Sequence, residues 1–161
     1  MALGVGIVER AQPRRDEQAS HACIQASAGA STVKGVPTLA DAALSAQERA
    51  LLERFSETLH ERLGPHLHAV WLFGSRARGQ RPLNEDSDVD VLVIADDASW
   101  DGTRLVYQAL DDAARDLDLE DQAWFFSVHV NTPEWLAQRR EIRSFFIAEV
   151  DRDKVVVAGH A

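Results

Sequence analysis

Apolar and polar residues follow the periods of helices and strands from residue 45 onward. Apolar side chains recur at helical spacing from Leu51 to Leu63, directly after the sequence SAQE. In that sequence Ser45 is placed as a helix N-cap and Glu48 as its capping-box partner. The pattern therefore predicts an amphipathic helix that ends at the Gly-Pro pair following Leu63.

Later segments of the chain alternate between apolar runs and helical stripes. A chain that alternates in this way is typical of the α/β class, and we expect a small mixed β-sheet flanked by helices. The predicted strands are residues 67–73 (LHAVWLF), 88–95 (DVDVLVIA), 123–130 (AWFFSVHV) and 153–159 (DKVVVAG). The predicted helices are residues 103–117, a helix with Thr132 as N-cap and Pro133 at its first position, and residues 141–150.

The first 43 residues differ from the rest in composition. Residues 11–43 are rich in alanine, serine, glutamine and glycine and show no sustained period. Such a composition buries too little apolar surface to offset the entropy of ordering. We therefore expect residues 1–43 to be a disordered tail and residues 44–161 to form one domain.

Composition limits the functional classes. A net charge of -9 and a pI near 5.0 argue against general nucleic-acid binding, which needs a surplus of cationic side chains. The single cysteine, Cys23, excludes an internal disulfide. No basic leader or long apolar run indicates secretion or a membrane span, so a soluble, cytoplasmic protein is expected.

The stretch LFGSRARG, which begins at Leu72, ends the first strand and starts a glycine-flanked cationic turn. A strand that runs through Gly74 and Ser75 into a short helix exposes backbone N–H groups at the positive end of the helix dipole, an arrangement that binds phosphate. Ser75 adds a hydroxyl donor, and Arg76 and Arg78 add cations for anionic oxygens. The same residues also fit a plain turn with two solvated arginines.

Two aspartates open the second strand. Residues i and i+2 of a strand project to the same face, so Asp88 and Asp90 present two carboxylates side by side. Like charges at neighbouring positions repel unless a cation lies between them. Hard oxygen ligands without histidine or thiolate favour Mg²⁺ or Mn²⁺. The alternative is a strand that starts late and leaves Asp88, and with it Asp90, in solvent.

Together the two segments resemble the minimal nucleotidyltransferases of the DNA polymerase beta-like superfamily. The pattern of that family is an apolar residue, Gly, Ser or Gly, about nine to thirteen residues, and then Asp-apolar-Asp-apolar. Here it reads FGS, twelve residues and DVDV. The resemblance covers residues 45–135 and is strongest over residues 70–95. It implies the nucleotidyltransferase fold of that superfamily.

The resemblance also implies an activity and roles. The activity is Mg-dependent transfer of a nucleoside monophosphate, often AMP from ATP, to a hydroxyl of a protein or small molecule. Asp88 and Asp90 would bind metal, Gly74 and Ser75 would hold phosphates, and the two arginines of the turn would add phosphate contacts. Family settings include an antitoxin that adenylylates its toxin and an antibiotic-modifying enzyme. Because the chain has no sizeable second domain for a small molecule, a protein acceptor such as a cognate toxin is favoured.

One position departs from the family pattern. Members of the family place a third carboxylate on a later strand, and counting back from Thr132 puts His129 there. A neutral imidazole can accept a proton, which makes His129 a candidate general base. Alternatively, the site has lost a ligand, and the protein is a degenerate module that acts by binding nucleotide or a partner. A purely structural histidine is a third reading, and the acids at 118, 120 and 121 could replace the carboxylate if the strand starts earlier.

A separate alternative is a metal-binding α/β domain unrelated to transferases. It requires the Gly74-Ser75 turn to be incidental to the carboxylate pair. The spacing between the turn and Asp88 favours the transferase over this reading.

Overall fold

The computed structural model of the chain describes residues 38–79 and 87–159. These residues form six helices and four strands, with a short 3-10 turn, Gly64–His66, before the first strand. None of the described helices is long and apolar enough to cross a bilayer. In chain order the elements are α1 (Ala46–Leu63), β1 (Leu67–Phe73), α2 (Gly74–Ala77), β2 (Val89–Ala95), α3 (Trp100–Asp116), α4 (Glu120–Ala123), β3 (Phe126–Asn131), α5 (Pro133–Glu141), α6 (Phe145–Asp153) and β4 (Val155–Gly159).

The four strands form one mixed sheet in the order β3-β2-β1-β4. Strand β1 runs antiparallel to both β2 and β4, whereas β2 and β3 are parallel. The helix α3 lies in the crossover that parallel neighbours require. The predicted fold class, a small mixed sheet flanked by helices, is confirmed.

The two faces of the sheet are covered by different helices. Alternate residues of a strand project to opposite faces, so β1 and β2 each contribute to two apolar clusters. Val70 and Val91 are buried in the cluster that includes residues of α1 and α3. Trp71 and Leu92 are buried in the cluster that includes residues of α5 and α6. The second face also carries Asp90, because the register pairs this residue with Phe73.

Local capping signals explain where the long helices begin. The hydroxyl of Ser45 accepts from the Glu48 N–H and the Glu48 carboxylate accepts from the Ser45 N–H, which confirms the predicted capping box. Helix α3 begins at Trp100, three residues before the predicted start, because the Ser99 hydroxyl accepts from the Gly102 N–H.

The third strand and the last helix both lie further along the chain than predicted. Strand β3 begins at Phe126, since Ala123 belongs to the short helix α4. The predicted helix over residues 141–150 is displaced to Phe145–Asp153. Arg143 has a left-handed backbone, with φ of 52°, and this turn separates α5 from α6.

Part of the predicted tail belongs to the described structure. Residues 38–43 include a turn, and Ala42 and Ala43 after it are buried. The Ala43 N–H donates to the Arg76 carbonyl at 2.8 Å, and the Arg49 guanidinium donates to the Leu39 carbonyl. Residues 38–43, which composition assigns to the tail, therefore make hydrogen bonds with α1 and α2. Residues 1–37, the rest of the predicted tail, lie outside the described residues.

Candidate active site

The turn predicted to bind phosphate, which begins at Gly74 and is called the phosphate turn below, meets the predicted acid pair, Asp88 and Asp90, at the end of the sheet. Strand β1 ends at Phe73, whose register partner on β2 is Asp90. Gly74 follows with φ of 75°, and a Cβ added at this glycine would lie 2.4 Å from Asp90 Oδ2. Glycine is needed here both for its backbone angle and for the close approach of the carboxylate.

The two aspartates are in different environments. Asp88 is exposed and precedes the first residue of β2, so the expectation of a late strand start holds for this residue. Asp90 lies within the strand and is half-buried. Burial raises the pKa of the Asp90 carboxyl above its ordinary value, and the charge of Asp88 raises it further. His129 and Arg78 act in the opposite direction.

The two carboxylates repel each other, and a divalent cation bound between them would offset that repulsion. Among the described residues no group of three or more His, Cys, Asp or Glu side chains has the geometry of a complete metal site. Mg²⁺ does not need such a cage, because it is commonly bound by one or two carboxylates together with water and substrate phosphates. Asp88 and Asp90, with their unfavourable mutual charge, suit that incomplete kind of site.

The phosphate turn is only partly as predicted. Gly74 and Ser75 begin α2, a single turn that has no side-chain cap. Arg78 lies at the surface, with Nη1 3.4 Å from the Asp153 carboxylate on α6. Asp153 is a partner that the sequence did not reveal, because no local signal links the two positions. The charge of Arg78 acts to lower the pKa of the Asp90 carboxyl, against the effects of burial and of Asp88.

The Arg76 side chain turns into the protein, toward α1. It is buried and forms an ion pair with Glu48 of α1, with Nη2 2.9 Å from Oε1. The same guanidinium donates to the main-chain carbonyl of Ser87. These partners occupy the group, so the geometry gives no support to a phosphate contact through Arg76. The sequence did not predict this, because it shows Glu48 only as the capping-box partner of Ser45. The ion pair between Glu48 and Arg76 is a tertiary contact.

His129 is placed where the sequence predicted, on β3 and toward the site. It is the register partner of Leu92, and Ser127, two residues earlier, is the partner of Asp90. Since i and i+2 of a strand share a face, His129 projects to the face that carries Asp90. The imidazole is exposed, and its centroid lies 5.8 Å from that of the Phe73 ring.

The alternative third acids lie outside β3. Asp118 precedes α4 and has φ of 54°, while Glu120 and Asp121 are in α4. Strand β3 itself, FSVHVN, contains no carboxylate. Because the strand begins at Phe126 and not earlier, these acids do not occupy the third position on β3.

An apolar surface borders the site on the side of α6. The rings of Phe73, His129 and Phe146 contact one another, with centroids 5.5 to 6.2 Å apart. Phe146 is 39% exposed, and near it Phe145 is 80% and Ile142 is 60% exposed. Two adjacent phenylalanines at the start of α6 therefore remain at the surface and are not part of the core.

Comparison with known proteins gives a family for this arrangement. The family model described as "Polymerase beta, Nucleotidyltransferase" matches residues 54–142, more than half of the chain. A solved structure of a mutant toxin-antitoxin MntA-HpeT is 18% identical, with a TM-score of 0.39, and the match covers 67% of this chain and 73% of that one. A toxin-antitoxin structure with AMP-PNP is 21% identical, with a TM-score of 0.40 and the same coverage of 67% and 73%. Neither similarity is close enough to bear on the substrate. No curated protein matches the sequence.

Proposed function

Because this chain belongs to the polymerase beta nucleotidyltransferase family, we propose that it transfers AMP from ATP to a hydroxyl group of an acceptor protein. The observation that carries the proposal is the apposition of Gly74 and Asp90. It brings a turn able to bind phosphate against a carboxylate able to bind metal, which is what a metal-dependent transfer of a nucleotidyl group requires.

Each residue of the site has a separate task. Asp88 and Asp90 would hold Mg²⁺ or Mn²⁺, and their carboxylate oxygens suit either ion. The cation supplies charge neutralisation at the entering and leaving oxygens when it is bound. The Gly74 backbone, the Ser75 hydroxyl and the Arg78 guanidinium would bind and orient the β and γ phosphates. Their role is positioning, which is the main demand of phosphoryl transfer.

His129 is proposed to take the proton of the acceptor hydroxyl. Its exposed imidazole lies on β3 and projects to the sheet face that carries Asp90. An imidazole changes protonation within the physiological pH range, so its neutral form can serve as a general base where members of the family have a carboxylate. The attacking oxygen then forms a bond to the α phosphorus as pyrophosphate leaves.

The border of the site supports a protein acceptor. Exposed apolar side chains in one place are typical of surfaces that contact other proteins. Phe146, whose ring contacts that of His129, and the adjacent Phe145 provide exposed apolar side chains of this kind. If a neighbouring gene encodes a toxin, that toxin is the acceptor to test first, as the resemblance noted from the sequence implies.

A second candidate function is nucleotide or partner binding without transfer. The observation that favours it is the sequence of β3, which has a histidine where a third carboxylate is expected. In this case the protein would bind ATP with divalent metal and release no pyrophosphate with any acceptor.

The proposal is tested with ATP labelled at the α phosphate, Mg²⁺ and the product of the neighbouring gene. We expect label to appear on the acceptor and pyrophosphate to be released in equal amount. The variant Asp88→Ala/Asp90→Ala is expected to lose both signals. Transfer that this double variant retains would contradict the site assignment.

A control separates the two candidate functions. Binding of ATP to the wild-type protein is measured by calorimetry with and without Mg²⁺. Metal-dependent binding without label on any acceptor would favour the binding module, whereas no binding under either condition would exclude both functions.

A further inference from the structure

The buried guanidinium of Arg76 connects three parts of the chain. Nε and Nη2 both donate to the Ser87 carbonyl, at 3.2 and 2.8 Å. Nη1 donates to the Ala43 carbonyl at 3.2 Å and to Glu48 Oε2 at 3.4 Å, and Nη2 also pairs with Glu48 Oε1 at 2.9 Å. The side chains of Arg76 and Glu48 are only 6% and 8% exposed. Solvent therefore weakens these contacts little.

The residue held by two of these bonds is the neighbour of a proposed metal ligand. Ser87 immediately precedes Asp88, which lies outside β2 and is not fixed by the strand itself. On the other side of Asp88, the Val89 N–H donates to the Phe125 carbonyl at 2.7 Å. The backbone of Asp88 is thus held from both ends, by Arg76 at Ser87 and by the β3 side at Val89.

We infer that Arg76 is a positioning residue for the metal site: its guanidinium, neutralised by Glu48, fixes the Ser87 carbonyl and through it the place of the Asp88 carboxylate. The inference rests on the proposed function, since it assigns the arginine to the same carboxylate pair. Arg76 touches neither phosphate nor metal in this role. It also ties the carboxylates to the phosphate turn, because Arg76 is itself a residue of α2.

The chemistry of the side chain explains why an arginine is required. A guanidinium has five donors in a planar fork and can bond a carbonyl through two nitrogens while pairing with a carboxylate. A lysine has one nitrogen and cannot reproduce both the double contact with Ser87 and the pair with Glu48. Arg76→Lys therefore keeps the positive charge and removes the planar set of donors that contacts both Ser87 and Glu48.

The experiment compares nucleotide binding with and without metal. Binding of ATP is measured by calorimetry in Mn²⁺ and in EDTA, for the wild-type protein and for Arg76→Lys. We expect affinity in Mn²⁺ to fall about 10- to 100-fold, the usual effect of losing a partner that orients a ligand, and affinity in EDTA to stay unchanged. Arg78→Lys, which alters a proposed phosphate contact, is expected to weaken binding under both conditions.

Arg49→Lys is the matched control. Arg49 also bonds carbonyls of the 38–43 segment, those of Leu39 and Ala42, but no contact with Ser87 is recorded for it in the described residues. We expect its affinity in Mn²⁺ to match the wild-type value. An equal loss in Arg49→Lys would overturn the inference, because the effect would then come from the segment and not from Ser87.

Further outcomes decide the remaining cases. If Arg76→Lys binds ATP in Mn²⁺ as tightly as the wild-type protein does, the inference about Arg76 is overturned and the proposed function is not. The same holds if the variant loses equal affinity in Mn²⁺ and in EDTA. A wild-type protein that binds no ATP in Mn²⁺ overturns the proposed function as well. If Arg76→Lys does not fold, Glu48→Gln is tested in its place, because it removes the ion pair and retains the guanidinium. We expect its affinity for ATP to fall several-fold in Mn²⁺ and to stay unchanged in EDTA. Unchanged affinity in Mn²⁺ would overturn the inference.

Discussion

Gly74 is in contact with the carboxylate of Asp90, so closely that a Cβ on the glycine would lie 2.4 Å from Oδ2. The contact joins the end of β1 to β2, because Phe73 and Asp90 are register partners. In the proposed function, phosphate and metal would therefore bind on the two sides of one small space. A change on either side of this space should affect both.

The substitution Gly74→Ala is expected to abolish transfer and to weaken binding of metal with ATP. The added methyl group must displace the Asp90 carboxylate, and φ of 75° adds a backbone cost of about 1–2 kcal/mol for a residue with a Cβ. Calorimetric binding of ATP in Mn²⁺ and the free energy of unfolding in urea measure the two effects.

Gly64→Ala is the control for the backbone cost. Gly64 has φ of 51°, and no atom lies within 4 Å of a Cβ added there. The control should lose a similar free energy of unfolding and keep its activity. Equal loss of activity in both variants would mean that destabilisation, and not the collision with Asp90, explains the result.

Asp90→Asn is expected to stabilise the metal-free protein at neutral pH while removing transfer. Burial and Asp88 raise the pKa of Asp90 in the folded state, so between its ordinary value of 3.8 and the raised value the folded state binds more protons than the unfolded state. Stability from this group therefore decreases as pH rises through that window. Asparagine cannot ionise and avoids the cost.

The measurement is urea unfolding in EDTA at about pH 7 and about pH 4. The advantage of Asp90→Asn over wild type should be larger at the higher pH and should shrink when Mg²⁺ is added to the wild-type protein. A variant that is less stable than wild type at neutral pH would show that Asp90 makes contacts worth more than its charge costs.

The elements that depend on neighbouring residues could be predicted from the sequence. The capping box of Ser45 and Glu48 is a local signal, and the run LHAVWLF gives β1 its bounds, Leu67–Phe73. The position of His129 on the face of Asp90 was implied by the family resemblance, through the short segment that ends at Thr132. In each case the sequence segment contains the information that determines the structure.

The partners of the charged side chains could not be predicted in this way. Arg76 and Glu48 are 28 positions apart, and Arg78 and Asp153 are 75 apart. Whether an arginine turns into the protein or toward a ligand depends on what the fold places beside it. The turn at Arg143 was missed for a related reason, because neither Gly nor Pro marks it in the sequence.

His129→Ala is expected to lower the rate of transfer by about 10²- to 10⁴-fold with little change in ATP affinity, as for a residue that takes a proton in the reaction. His129→Asp should restore part of the rate and extend activity to lower pH, because a carboxylate loses its proton at lower pH than an imidazole does. Single-turnover rates over a range of pH measure both effects.

Ser127→Ala provides the comparison on the same strand. Ser127 shares a face with His129, and its hydroxyl lies 3.5 Å from Nε2. Little change in rate is expected there. If His129→Asp is much faster than wild type, then the histidine is a poor replacement for the acid, and the binding module becomes the better description.

The segment 38–44 is expected to be needed for both stability and the site. Ala42, Ala43 and Leu44 are buried, and the Ala43 N–H donates to the Arg76 carbonyl within the phosphate turn. A chain that begins at Ser45 should be less stable than one that begins at Thr38 by more than about 2 kcal/mol, since burial of a leucine alone contributes about that much. It should also bind ATP in Mn²⁺ more weakly, because the turn loses a hydrogen bond. Urea unfolding and calorimetry compare the two chains, and equal stability and affinity would show that the contacts of residues 38–44 contribute nothing to the domain.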